Sequence, residues 1–182
     1  MPGSEPPLQL SHYREILAEA VREAGAAALR FFRRPVKTWT KGEGDSPVTE
    51  ADIAANDLLR QRLVVAGDGW LSEESENDPA RLDARRVWVV DPIDGTRAFI
   101  AGREDWTVSV ALVMGGRPVI AALYAPVTDE MFLATAGGGA MRNDVSILAS
   151  VGEDLDGARV AGPKRVLDWI AQQGRGIVAM PR

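Results

Sequence analysis

From His12 to Phe32 the apolar side chains Tyr13, Ile16, Leu17, Ala20, Val21, Ala24, Ala27, Ala28 and Phe31 recur every three to four positions. That period places them on one face of a helix, with Ser11 positioned to cap its start and Arg33-Arg34-Pro35 to end it. The polar, glycine-containing stretch from Lys41 to Pro47 predicts a mobile loop. Thr49-Glu50-Ala51-Asp52 then reads as a capping arrangement, and Ile53, Leu59 and Leu63 carry a second helix to about Val65.

After Gly67 the pattern becomes that of strands. Trp70-Leu71-Ser72 is a short one, and Val87 to Val90 runs into Asp91-Pro92. Thr107–Met114 and Pro118–Ala125 flank Gly115-Gly116, a hairpin signal. Pro126 to Asp129 turns the chain into Met131–Thr135, and Gly137-Gly138-Gly139 interrupts the run. Val166–Gln172 predicts another short helix and Gly176–Met180 another strand. The expected core is an antiparallel meander with helices on one face, an α+β arrangement.

Composition narrows the chemistry. The 182 residues include no cysteine and one histidine, and carry a net charge of −5. Disulfides, thiolate metal sites and a cysteine nucleophile are thereby excluded, and a metal site must be built from oxygen ligands, which suits Mg²⁺, Mn²⁺ or Ca²⁺. The acidic balance argues against a surface for nucleic acid polymers or anionic lipid. Val108–Met114 and Val119–Ala125 are too short to span a bilayer. With no secretory signal at the start, a cytoplasmic location is expected by default.

Two acidic groups follow predicted strands. In Asp91-Pro92-Ile93-Asp94-Gly95-Thr96, the carboxylates of Asp91 and Asp94 and the Ile93 carbonyl can converge on one cation, and Gly95 permits close backbone approach. Thr96 begins a short helix whose first amides suit a phosphate. Taken alone, Asp-Gly is more simply a turn. Ser72-Glu73-Glu74-Ser75 follows the Trp70 strand, and paired glutamates on a loop are normally solvated. Gathered in one cleft, however, these carboxylates would repel one another unless cations neutralised them.

Together, Val48-Thr49-Glu50-Ala51-Asp52, Glu73-Glu74-Ser75 and Asp91 to Thr96 resemble the ordered motifs of the inositol monophosphatase family, which are Mg²⁺-dependent, lithium-sensitive phosphomonoesterases. Thr96 to Ile100 followed by Trp106 to Leu112 is most similar to the 3′(2′),5′-bisphosphate nucleotidase branch. The resemblance runs from about residue 12 to residue 165. It implies Glu73, Asp91, Asp94 and the Ile93 carbonyl as metal ligands, Glu74 as an acid beside them, and Thr96 with Asp52 as the pair that orients and deprotonates the attacking water. It implies Asp94, Gly95 and Thr96 at the substrate phosphate, with the loop lysine Lys41 near it. The fold it implies is a sugar-phosphatase-like layered α/β/α sandwich.

Three segments are expected on that basis: a flexible N-terminus, 1–10; a metal-binding α+β domain, 11–155; and the opening of a truncated α/β domain, 156–182. The family's Trp-Asp-x-Ala-Ala motif has no counterpart after Gly162, where Asp168-Trp169 carries the pair reversed within an amphipathic helix. The expected activity is hydrolysis of a small phosphorylated metabolite, a bisphosphate nucleotide or an inositol phosphate, by a possible homodimer. The alternative is a catalytically impaired metal- and phosphate-binding module. Gly137 to Ala140 lacks the spacing of a dinucleotide-binding loop. His12, the five tryptophans and the Arg30, Arg33, Arg34 cluster are read as surface, core and helix-end residues.

Overall fold

A computed structural model describes residues 10–41, 46–152, 154–173 and 176–180. The chain divides into two compact units, Met1–Ile147 and Leu148–Arg182. The expected flexible segment, but for Leu10, and the centre of the expected loop, 42–45, lie outside the described residues.

In the first unit α1 (Leu10–Leu29) buries Leu17, Ala20, Val21, Ala24 and Ala28. Its small side chains let it lie close to the sheet. A Cβ added at Gly25 would sit 2.8 Å from Pro126 Cγ and 2.8 Å from Tyr124 Cε1, so only glycine fits there. Ser11 falls inside the helix instead of capping it. Strands β1 (Thr38–Lys41) and β2 (Ser46–Thr49) form an antiparallel pair before α2 (Glu50–Leu63). Thr49 closes a capping box with Asp52, as its spacing predicts.

The main sheet is ordered β3-β4-β5-β6-β7-β8-β9, comprising β3 (Gly69–Ser72), β4 (Arg86–Asp94), β5 (Thr107–Met114), β6 (Arg117–Ala125), β7 (Glu130–Thr135), β8 (Gly139–Arg142) and β9 (Val145–Ile147). Helix α3 (Thr96–Ile100) lies between β4 and β5. The β5–β6 hairpin turns at Gly115-Gly116 as expected, and the three-glycine run is the turn from β7 into β8. The meander expectation fails at one pair, since β3 runs parallel to β4. Thirteen residues, 73–85, separate them, long enough for a crossover through the 3₁₀ turn Pro79–Leu82.

Alternation along the strands divides the two faces. Trp88, Val90, Val108, Val110, Leu112, Ile120, Ala122 and Leu133 are buried with α1 and α2 in the main core. The opposite face carries Val89, Ala111, Leu123 and Phe132 around an apolar cavity of about 590 Å³. A smaller core joins Ile93, Phe99 and Trp106 to Phe32, with the Phe99 and Trp106 rings edge-to-face at 5.0 Å. The α+β class expected from the sequence is the class observed.

The second unit holds β10 (Arg159–Val160), α4 (Lys164–Gln172) and β11 (Val178–Ala179), with the two short strands paired in parallel. Among the described residues no helix is long and apolar enough to cross a membrane.

Candidate active site

The parallel pairing of β3 and β4 decides where the acids meet. Ser72 lies beside Val90, so both strands end at the same edge and deliver Glu73 and Asp91 together. Antiparallel pairing would have sent them to opposite edges. In a regular strand, residues 91 and 94 would point to opposite faces. Here Asp91 pairs with Ser109 and Asp94 with Thr107, three residues against two, so a bulge breaks the alternation between the two acids.

Gly95 follows at φ 101°, and a Cβ there would lie 2.9 Å from the Asp105 carbonyl oxygen. The left-handed turn starts α3 and points Thr96 at α2. The Thr96 hydroxyl lies 3.2 Å from Asp52 Oδ1 and 3.0 Å from the Ile93 carbonyl oxygen. A hydroxyl has one proton, so at any moment it donates to one of the two and keeps its lone pairs for another donor.

Asp52 is fully buried at the start of α2. Its Oδ2 accepts from the Thr49 amide at 2.8 Å and the Thr49 hydroxyl at 2.6 Å, which leaves Oδ1 facing Thr96. Burial raises the Asp52 pKa, and the bonds from Thr49 and Thr96 oppose that rise. One helical turn on, Asn56 accepts from the Ser72 hydroxyl at 2.7 Å and ties α2 to the end of β3. Sequence reasoning missed Asn56; its signal was the i, i+4 spacing from Asp52 on a predicted helix.

Glu74 is deeply buried, and its Oε1 pairs with Lys41 Nζ at 2.7 Å. Lys41 also donates to the Glu73 carbonyl oxygen. Glu74 Oε2 is buried with no partner among the described residues. Burial pushes the Glu74 pKa up, against the pull of Lys41. Asp91 is pushed up to about 7, first by burial, then by the charges of Glu73, Asp94, Asp52 and Glu74.

Lys41, Glu73, Glu74, Gly95 and Thr96 line one cleft of about 470 Å³, together with Ser46, Pro47 and Arg97. Asp91 and Glu73 lie at the polar end of the larger apolar cavity. Asp94 is exposed at the end of β4, and the Ile93 side chain is buried in the aromatic core. Among the described residues, no three or more His, Asp or Glu side chains are already arranged to hold an ion. The acids nonetheless act on Asp91 from four positions, and one buried carboxylate oxygen lacks a donor. An all-oxygen set under such mutual repulsion fits a hard divalent cation.

The α+β core thus brings five carboxylates, those of Asp52, Glu73, Glu74, Asp91 and Asp94, to the neighbourhood of a Gly-Thr helix start. The chain belongs to the inositol monophosphatase family, whose sequence profile matches residues 9–169. It is 36% identical over 129 residues to the 3′(2′),5′-bisphosphate nucleotidase CysQ of Salmonella typhimurium, covering 68% of this chain and 52% of that one. It is 38% identical over 133 residues to an inositol-1-monophosphatase of Rhizobium meliloti, covering 71% and 49%. The extragenic suppressor protein suhB of Bartonella henselae superposes with a TM-score of 0.78 at 27% identity, over 91% of this chain and 69% of that one. The chain thus spans about half the length of the curated relatives it matches.

Proposed function

We propose that the chain carries the catalytic half-site of a Mg²⁺-dependent phosphomonoesterase acting on a small phosphorylated metabolite. The observation that carries this reading is the Thr96–Asp52 contact at 3.2 Å, set beside the acids of Glu73, Asp91 and Asp94. The carboxylates of Glu73, Asp91 and Asp94 and the Ile93 carbonyl would hold the cation. When bound, it neutralises phosphoryl charge, acidifies water and stabilises the leaving oxygen.

The chain's own groups do the rest. Asp52 Oδ2 is committed to Thr49, so only Oδ1 is free to draw the Thr96 proton. With its hydroxyl donating to Asp52 Oδ1, the Thr96 oxygen accepts from a water and would hold it in line with phosphorus. As the water loses its proton to the Thr96 oxygen, the Thr96 proton passes to Asp52 Oδ1, a role that burial favours by raising the proton affinity of Asp52. The Gly95 and Thr96 backbone would face the phosphoryl group at the start of α3, in a turn that Gly95 permits because a Cβ there would meet the Asp105 carbonyl oxygen. Mg²⁺ as the ion and a homodimeric assembly come with the same resemblance.

Phosphate release by the 182-residue chain tests the reading, with adenosine 3′,5′-bisphosphate and inositol 1-phosphate as substrates in MgCl₂ or EDTA. Mg²⁺-dependent release that falls about a hundred-fold or more in Asp94→Asn is expected. Release that survives EDTA, or none from a folded chain that Mg²⁺ stabilises, refutes it. The second outcome leaves a binding module.

A further inference from the structure

We propose that Asn56 is a positioning residue that, through Ser72 and Ser75, sets how tightly the Glu73-Glu74 loop holds a divalent cation. The inference deepens the reading of these acids as a cation site and rests on it. Asn56 is buried and lies one helical turn after Asp52, so the two project from one face of α2. Both ends of its amide are engaged. Oδ1 accepts from the Ser72 hydroxyl at 2.7 Å, and Nδ2 donates to the Ser75 hydroxyl at 3.3 Å.

Neither serine stops at Asn56. With its one proton directed at Asn56, the Ser72 oxygen is left to accept, and it takes the Glu74 amide at 3.2 Å. The Ser75 oxygen also accepts from Trp70 Nε1 at 3.1 Å. The residues on either side of Glu73-Glu74 are therefore both fastened to the helix that carries Asp52, and the loop backbone is held with them. Charge makes this matter. A loose loop would let Glu73 and Glu74 drift away from Asp91 and Asp52, whose charges oppose theirs, and a cation would first have to gather them again. Hydrogen-bonded groups behind the carboxylates that hold a metal govern its affinity by about ten- to a hundred-fold.

Calorimetric titration of the full chain with MgCl₂ tests this, with the melting temperature in EDTA measured beside it. Asn56→Leu nearly keeps the size of the side chain and removes both its polar atoms. It should weaken Mg²⁺ binding about ten-fold or more. Ser72→Ala should do the same, and the double variant should be no weaker than either single one, since all three break one chain of bonds. Ser72→Thr, which keeps the hydroxyl, should retain most of the wild-type affinity. Gly25→Val, destabilised where α1 meets Tyr124 and Pro126, should bind Mg²⁺ as wild type does. Weakening in Gly25→Val equal to that in Asn56→Leu would reduce the effect to general loosening and overturn the assignment. Wild-type binding that Asn56→Leu and Ser72→Ala leave unchanged also overturns it, while the cation-site reading stands. Wild type that takes up no Mg²⁺ overturns both. Should Asn56→Leu fail to fold, Ser72→Ala decides between the same outcomes.

Discussion

Asp91→Asn should make the metal-free chain more stable at alkaline pH, although it removes a group central to the site. Folding raises the Asp91 pKa from 3.8 to about 7. Between those values the folded chain holds a proton that the unfolded chain releases. The resulting stability is fully present below the unfolded value and lost as pH rises through about 7. At 1.36 kcal/mol per pH unit, a rise of about three units sets a ceiling near 4 kcal/mol. Water reaching the half-buried carboxylate screens that to about 1–2 kcal/mol. For a chain of this length the change corresponds to about 3–6 °C in melting temperature. Circular dichroism melts in EDTA at pH 5 and pH 8 are the assay. Wild type should lose more stability than Asp91→Asn between the two, and the variant should melt higher at pH 8. Asp52 and Glu74, whose pKa values are also raised, retain part of the slope. Adding Mg²⁺ at pH 8 should raise the wild-type melting temperature and leave the variant nearly unmoved. A variant that melts below wild type at pH 8 in EDTA would sink the argument that these acids repel one another.

Thr96→Val should lower phosphate release about a hundred-fold while Mg²⁺ still raises the melting temperature, because the hydroxyl positions water and is not among the proposed ligands; loss of both effects would contradict that division. Asp68→Ala should cost about 3 kcal/mol, since the Asp68 side chain is fully buried and holds Arg86 Nε at 2.6 Å and Trp88 Nε1 at 3.2 Å. Urea titration reads it, and a change below about 1 kcal/mol would show that the cluster contributes little. Gly25→Val should destabilise by about 2 kcal/mol through the collision with Tyr124 and Pro126, visible as a lowered urea midpoint.

Much of the fold was legible because its signals are local. The heptad-like spacing of Leu17, Val21, Ala24 and Ala28 and the Gly115-Gly116 turn each specify their element without reference to the rest of the chain. Strands β1, β2, β8 and β9 were not legible, being short, polar or glycine-bearing, and held by partners instead of by pattern. Parallel pairing of β3 with β4 is a property of a thirteen-residue crossover, which periodicity does not encode. The Asp91–Asp94 bulge was equally hidden, since an extra residue shows only against its partner strand. The adjacent acids Glu73 and Glu74, and Asp91 with Asp94 three residues on, could be picked out as candidates, and the family motifs suggested their roles. That Lys41 is tied down by Glu74, and that Asn56 anchors the end of β3, required the third dimension.

Asp52 serves two masters with its two oxygens: Oδ2 fastens the first turn of α2, and Oδ1 faces Thr96. Helix ends open far more readily than whole domains unfold. Each such fraying event would release Asp52 from Thr49 and swing Oδ1 away from the Thr96 hydroxyl, with the sheet and the cores still intact. If Asp52 acts as proposed, warming should extinguish phosphate release several degrees before any global probe of structure responds.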